Sequence, residues 1–133
     1  MPLNNLITMI KEAYVSYEIA KLLKKKGFDE RTLYHYTNCD VLQHNIVYNQ
    51  YKNSEMLNAC SAPTHQMVMA WLREKHHIHA NPIRQGNYDD CSDYYTWIVA
   101  SNGIIHRNQS VADKLSYEDA VEAALKYTLE NLL

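Results

Sequence analysis

Glycine is scarce, with three in 133 residues, and neither Gly-x-Gly-x-x-Gly nor Gly-x-x-x-x-Gly-Lys-Ser/Thr occurs. Loops that cradle phosphate with successive backbone amides need glycine at several positions, so both kinds are excluded. Cysteine is also sparse. Cys39, Cys60 and Cys91 stand far apart with no Cys-x-x-Cys pair, which fits free thiols in a reducing compartment; one disulfide with a spare thiol is the alternative. No surplus of one charge exists, since 13 Lys and Arg face 15 Asp and Glu for a formal charge of −2. A field that advertises nucleic acid or acidic membrane is therefore missing. No apolar run approaches the ~20 residues needed to span a bilayer. The start, Met-Pro-Leu-Asn-Asn, has neither the basic nor the apolar region of a secretory signal. A cytoplasmic location is the expectation.

What is present is ordinary in amount: 47% hydrophobic and 21% charged residues, the balance of a globular chain rather than a collagen-like or disordered one. The length suits a single domain over residues 1–133. The aromatic content is unusual, with eleven Tyr against one Phe. Tyrosine buries a ring and keeps its hydroxyl near water or a partner. These residues therefore either edge a thin core or make a tyrosine-rich contact face.

Periodicity marks the elements. Leu6, Met9, Ile10, Ala13, Tyr17 and Ala20 recur at helical spacing. Either one helix runs from about Leu6 to Lys26, or Ser16 caps a shorter one from Tyr17 to Lys26 with Glu18 in its first turn. Gly27 and Phe28 close it. Arg31–Thr37 and Val41–Tyr51 read as strands, the second run also fitting a short helix, with a turn at Asn38-Cys39-Asp40 and a connector or helical turn over Lys52–Ala59. Pro63 is placed at the first position of a helix that ends near His76. Ile78–Ile83 reads as a strand, at an edge because of Pro82. Polar Gln85–Asp93 is a loop. Tyr94–Ser101 and Ile104–His106 flank Asn102-Gly103, the strongest short hairpin signal. After a loop over Arg107–Leu115, Ser116 caps a helix from Tyr117 to about Leu132, with Val121, Ala124, Leu125, Thr128 and Leu132 as its apolar stripe. Ser-Tyr-Glu-x-Ala occurs at Ser16–Ala20 and again at Ser116–Ala120, one capping solution used twice. Too few strands exist for a sandwich. The expected fold is α+β, a small antiparallel sheet with about three helices packed mainly on one face.

Three segments carry a resemblance. They are Glu18–Phe28 (EIAKLLKKKGF), Ser61-Ala62-Pro63-Thr64 with Trp71–His79 (WLREKHHIH), and Ser116–Leu125 (SYEDAVEAAL). Together they resemble a family of small uncharacterised proteins of Bacteroides-type gut bacteria and their prophages. The resemblance covers about a third of the chain, implies a mobile-element origin and transfers no catalytic residue.

The chemistry-bearing clusters are few. Lys21, Lys24, Lys25, Lys26 and Arg31, with Arg73, are candidate phosphate contacts for nucleic acid; a solvated helix end whose lysines oppose the dipole is the preferred reading of the run. A winged-helix reading of Pro63–His76 and the following strands finds only Gln66 and Arg73 to read bases. His77 and His79, on one strand face about 7 Å apart, are candidate metal ligands, with Cys60, Cys91 or His106 needed to complete the set. Asp89, Asp90 and Asp93 surround Cys91 and disfavour its thiolate, and they lack the spacing of a calcium loop. No Gly-x-Ser-x-Gly elbow exists. Trp71 and Trp97 belong to the helix–sheet core. The expected function is a non-enzymatic phage-type accessory domain binding protein, with a homo-dimer as one form. Nucleic-acid binding is the second reading and a small metal-dependent enzyme the third. No cofactor is implied.

Overall fold

The computed structural model describes residues 10–37, 42–44, 50–86, 93–108 and 114–133. The turn expected at Asn38-Cys39-Asp40, the N-terminal part of the longer helix, most of the Gln85–Asp93 loop and most of the Arg107–Leu115 loop lie outside them. The chain is α+β, and the described residues form three α-helices and antiparallel strands. The strands divide into two sheets of three, ordered β2-β1-β3 and β4-β5-β6.

Helix α1 is Tyr17–Lys25, the shorter of the two alternatives. Residues 10–16 are not helical because Ser16 turns the chain: its Oγ accepts the Ile19 N–H at 3.3 Å. The helix closes on Gly27 at φ 92°, where a side chain would be strained. Phe28 then donates its N–H to the Leu23 carbonyl at 2.9 Å and is wholly buried. The first sheet follows, with β1 at Tyr34–Thr37, β2 at Leu42–His44 and β3 at Ala59–Ser61. Strand β3 carries too short a run for alternation to reveal it. The connector holds a 3-10 turn over Asn53–Glu55. Buried Asn53 donates to the Phe28 carbonyl at 2.7 Å and accepts the Ser61 N–H at 2.8 Å. One amide thus fastens the end of α1 to β3.

Helix α2 is His65–His76. Its cap is Thr64, whose hydroxyl accepts the Met67 N–H at 3.1 Å. Pro63 therefore precedes the cap instead of opening the helix, and its carbonyl accepts the Val15 N–H at 3.0 Å. A fixed φ suits that extended run as well as it suits a first turn. The helix stops at His77, which adopts the left-handed conformation at φ 55°. His77 is a helix cap, so it does not share a strand face with His79.

The second sheet is a meander of β4 (Ile78–Arg84), β5 (Tyr95–Ser101) and β6 (Ile104–Arg107). Asn102 at φ 52° and Gly103 at φ 76° make the hairpin turn their types favour. In register, Val99 lies between Ala80 and His106. Helix α3, Tyr117–Asn131, begins at Ser116, whose Oγ accepts the Asp119 N–H at 3.1 Å. The repeated Ser-Tyr-Glu-x-Ala segment caps a helix both times. α3 lies across β4 and β5. Ala120, Val121, Ala124, Leu125, Thr128 and Leu129 are buried, while Leu132 is only partly covered. Trp71 and Trp97, each 8% exposed, join one core cluster. Trp71 meets Phe28 edge-on at 5.2 Å and Trp97 meets Tyr127 at 5.0 Å.

Polar ties run along α1 and α3. Glu122 accepts the Ser16 N–H at 2.7 Å and the Ser16 hydroxyl at 3.2 Å, and its Oε1 also lies 3.1 Å from His65 Nε2. Glu18 pairs with Lys126 at 3.0 Å, and Lys26 Nζ donates to the Leu133 carbonyl at 2.6 Å. The pairs advance along both helices together, so α1 and α3 lie roughly parallel. Glu122→Ala is expected to lower stability by about 2–3 kcal/mol, since bonds to charged groups contribute that order. Glu122→Gln, which keeps an acceptor and a donor in place, loses less; denaturant midpoints measure both. Asp29 accepts the Ser54 N–H at 2.8 Å, a bond that holds its carboxyl below the usual carboxylate range. A depressed folded-state value contributes stability above the ordinary carboxylate value of about 4, lost as pH falls through the folded value. Asp29→Asn should lower stability near neutrality, where the carboxylate's contribution is fully present, and flatten the stability profile in that acid window; denaturant midpoints measured across pH check both.

Candidate functional site

On an α-helix, positions 17, 21, 24 and 25 fall on one face. Tyr17, Lys21, Lys24 and Lys25 accordingly form one wall of a cavity of about 360 Å³. Tyr36 and Thr37 at the end of β1 face them, and Leu57, Asn58, Ala59 and Cys60 close the third side as the chain enters β3. No carboxylate is among these lining residues. Lys24 Nζ donates to the Met56 and Ala59 carbonyls, both at 2.7 Å, and pins the turn that makes the third side. Lys21 Nζ sits 4.6 Å from the centre of the Tyr17 ring, a cation–π arrangement. Tyr17 meets Tyr36 edge-on at 5.4 Å, and the Tyr36 hydroxyl donates to the Val15 carbonyl at 2.7 Å. Burial pushes the Cys60 thiol above its ordinary value, while the charges of Lys24 and Lys21 pull it down.

The other basic candidates are elsewhere. Lys26 is tied to Leu133. Arg31 donates to the Gln50 carbonyl at 2.7 Å and to Glu55 at 3.1 Å. Arg73 is exposed on α2 and lines none of this cavity. The six residues do not make one continuous track. The structure brings together Lys21, Lys24 and Lys25 and leaves Lys26, Arg31 and Arg73 apart.

The metal candidates also part company. His77 caps α2, His79 is exposed on β4, and His106 Nδ1 lies 2.9 Å from the Tyr127 hydroxyl. Cys60 is buried in β3, and Cys91 lies outside the described residues. Among the described residues no group of three His, Cys, Asp or Glu side chains converges as metal ligands would. A serine, a histidine and a carboxylate do meet at Ser16, His65 and Glu122, but the wiring is not that of a nucleophile. Both Ser16 and His65 bond to Glu122 instead of to each other, and Ser16 Oγ also caps α1. That cluster is a bracket between helices.

The paired tyrosines among the described residues edge the core. Tyr14 pairs with Tyr34 at 4.7 Å, Tyr95 with Tyr117 at 5.3 Å, and Lys114 sits 5.4 Å from the Tyr94 ring. Most of these rings are thus spent on neighbours. The large apolar side chains left exposed on the second sheet stand at Ile83, Ile104 and Ile105. Ile104 and Ile105 are 59% and 56% exposed and sit on β6, the last strand of its sheet, with no strand beyond it among the described residues. β4, the opposite edge, contains Pro82, which offers no N–H to an incoming strand.

Compared with family models, curated proteins and solved structures, the chain matches none. Among the described residues no helix is long and apolar enough to cross a membrane. Tyr17, Tyr36, Leu57, Asn58 and Cys60 were not visible as site residues in the sequence. The one available signal was the 17-21-24-25 spacing, which marks a face without showing what it confronts. In a Cys39→Ser, Cys91→Ser background, Cys60 should react with iodoacetamide at pH 8 about ten-fold or more slowly than an unfolded thiol, as a buried, raised thiol does. Denaturant should restore the fast rate; quantitative mass spectrometry measures both.

Proposed function

We propose that the protein is a non-enzymatic accessory domain of phage or prophage type that acts by binding another polypeptide along the open edge of β6. The observation that carries this reading is the pair Ile104 and Ile105, both more than half exposed on a strand beyond which no described strand lies. An edge strand presents unpaired amides and carbonyls, and proteins usually blunt such edges with Pro, Lys or a cover. Here β4 is blunted by Pro82, whereas β6 offers isoleucine on both faces, Ile104 on the side of Ile78 and Ile105 on the side of His79. An extended partner segment, from a second copy or another protein, gains main-chain bonds there, and the two isoleucines supply side-chain contacts. The scattered placement of the basic residues speaks against a nucleic-acid track, and among the described residues no third ligand converges with His77 and His79, which speaks against the metal enzyme.

A photo-reactive amino acid at position 105 should cross-link to a polypeptide in prophage-bearing cells, and the same group at exposed Glu130 should not. Ile104→Lys should abolish the cross-link while leaving the melting temperature within a few degrees. If position 105 yields no polypeptide adduct, or Ile104→Lys leaves the adduct intact, the edge is not the contact.

A further inference from the structure

We propose that the cavity between α1 and the first sheet binds a small phosphomonoester, its phosphate on Lys21, Lys24 and Lys25 and its organic body against Leu57 and the tyrosine wall. The site is separate from the β6 edge and does not depend on the reading given for it. The cavity, at about 360 Å³, falls in the size range of small-molecule sites. Three ammonium groups reach it from one helix face, and among the described residues no carboxylate lines it. A cluster of that kind favours an anion of more than one charge over a single carboxylate.

The lysines are not equivalent. Lys24 is held by two carbonyls at 2.7 Å, which fixes its charge at the cavity wall and leaves one of its three N–H groups for a ligand. Lys21 rests over the Tyr17 ring, and Lys25 is exposed beside it. Both can swing onto a phosphate without disturbing the fold. Asn58 adds an amide to the lining, and Leu57, 96% exposed, is an apolar group at the cavity with almost no contact of its own. The Cys60 thiol reports the convergence, because the charges of Lys24 and Lys21 are both felt there. This is a point-charge site for a terminal phosphate. It differs from a glycine-rich cradle, which the sequence excludes.

Calorimetric titration of the full chain with adenosine 5′-monophosphate, adenosine, inorganic phosphate and a short 5′-hydroxyl oligonucleotide tests the proposal. The expected result is saturable binding of the monophosphate, weaker binding of inorganic phosphate and none of adenosine. Lys21→Gln and Lys25→Gln should each weaken monophosphate binding about ten-fold, the loss of one charge-assisted bond, with unchanged melting temperature. Amide shifts on titration should concentrate at Tyr17, Thr37, Asn58 and Cys60. Equal binding of adenosine, no monophosphate binding up to millimolar concentration, or unchanged affinity in both lysine variants would overturn the proposal. So would strong oligonucleotide binding without monophosphate binding, which would restore the nucleic-acid reading instead.

Discussion

One carboxylate fixes the relation of the three helices. Glu122, in the second turn of α3, takes the N–H and hydroxyl of Ser16, the residue that starts α1, and faces Nε2 of His65, the first residue of α2. Helix starts carry unpaired amides and partial positive charge. A negative group shared between two of them satisfies donors and offsets a dipole in one step. Roughly parallel helices also set like dipole ends beside each other, so the arrangement of α1 and α3 calls for such an offset. Glu18 with Lys126 and Lys26 with Leu133 continue the tie toward the other end. His65 is buried, and its Nδ1 has no hydrogen-bond partner. With Nε2 turned to the Glu122 carboxylate, the ring fastens the start of α2 to α3.

The fastening decides which lysines remain for other work. Lys24, Lys25 and Lys26 all stand at the negative end of α1, where cations are favoured. Two of them are drawn further: Lys24 clamps the turn before β3, and Lys26 holds the last residue of the chain. Lys21 and Lys25 are left beside the cavity with no such bond to a carbonyl. A basic run that looks like one patch in one dimension thus separates into structural and available charges. Composition alone does not make that separation, because it depends on which carbonyls the fold brings within 3 Å.

What was legible followed local chemistry. Ser16 and Ser116 as caps, Gly27 as the stop, Asn102-Gly103 as a primed turn and the α3 stripe are all decided within a few residues, and each stands where its chemistry puts it. The α+β class followed from their order. The errors share a cause in longer-range contacts. Pro63 lost the first helical position to the better hydroxyl of Thr64, since residues 13–15 demanded an extended neighbour. His77 left the strand because α2 needed a left-handed cap, a role more often taken by Gly or Asn. The short β3 exists because β1 and Asn53 together satisfy its backbone. The cavity was hidden for the same reason, as its far walls are Tyr36 and Leu57–Cys60, about ten to forty residues from the lysines they confront.

The make-up of the second sheet is why the proposed contact is assigned to its edge and not to its open face. One face carries Ile78, Ala80, Trp97 and Val99 under α3. By register the other carries His79, Asn81, Thr96 and Arg107 among Ile83, Ile98 and Ala100. Such a mixture is what an antiparallel sheet presents to water. A docking face of useful strength would concentrate apolar groups and exclude the charged and amide side chains from its centre. At β6 the pattern reverses: two isoleucines follow the turn in succession, one on each face, beside backbone groups that no described strand takes up. Period-two alternation would have put a polar residue at one of those positions had both faces met only solvent and core. The break in alternation therefore falls where the described sheet ends, and the proposed partner strand would engage both isoleucines at once.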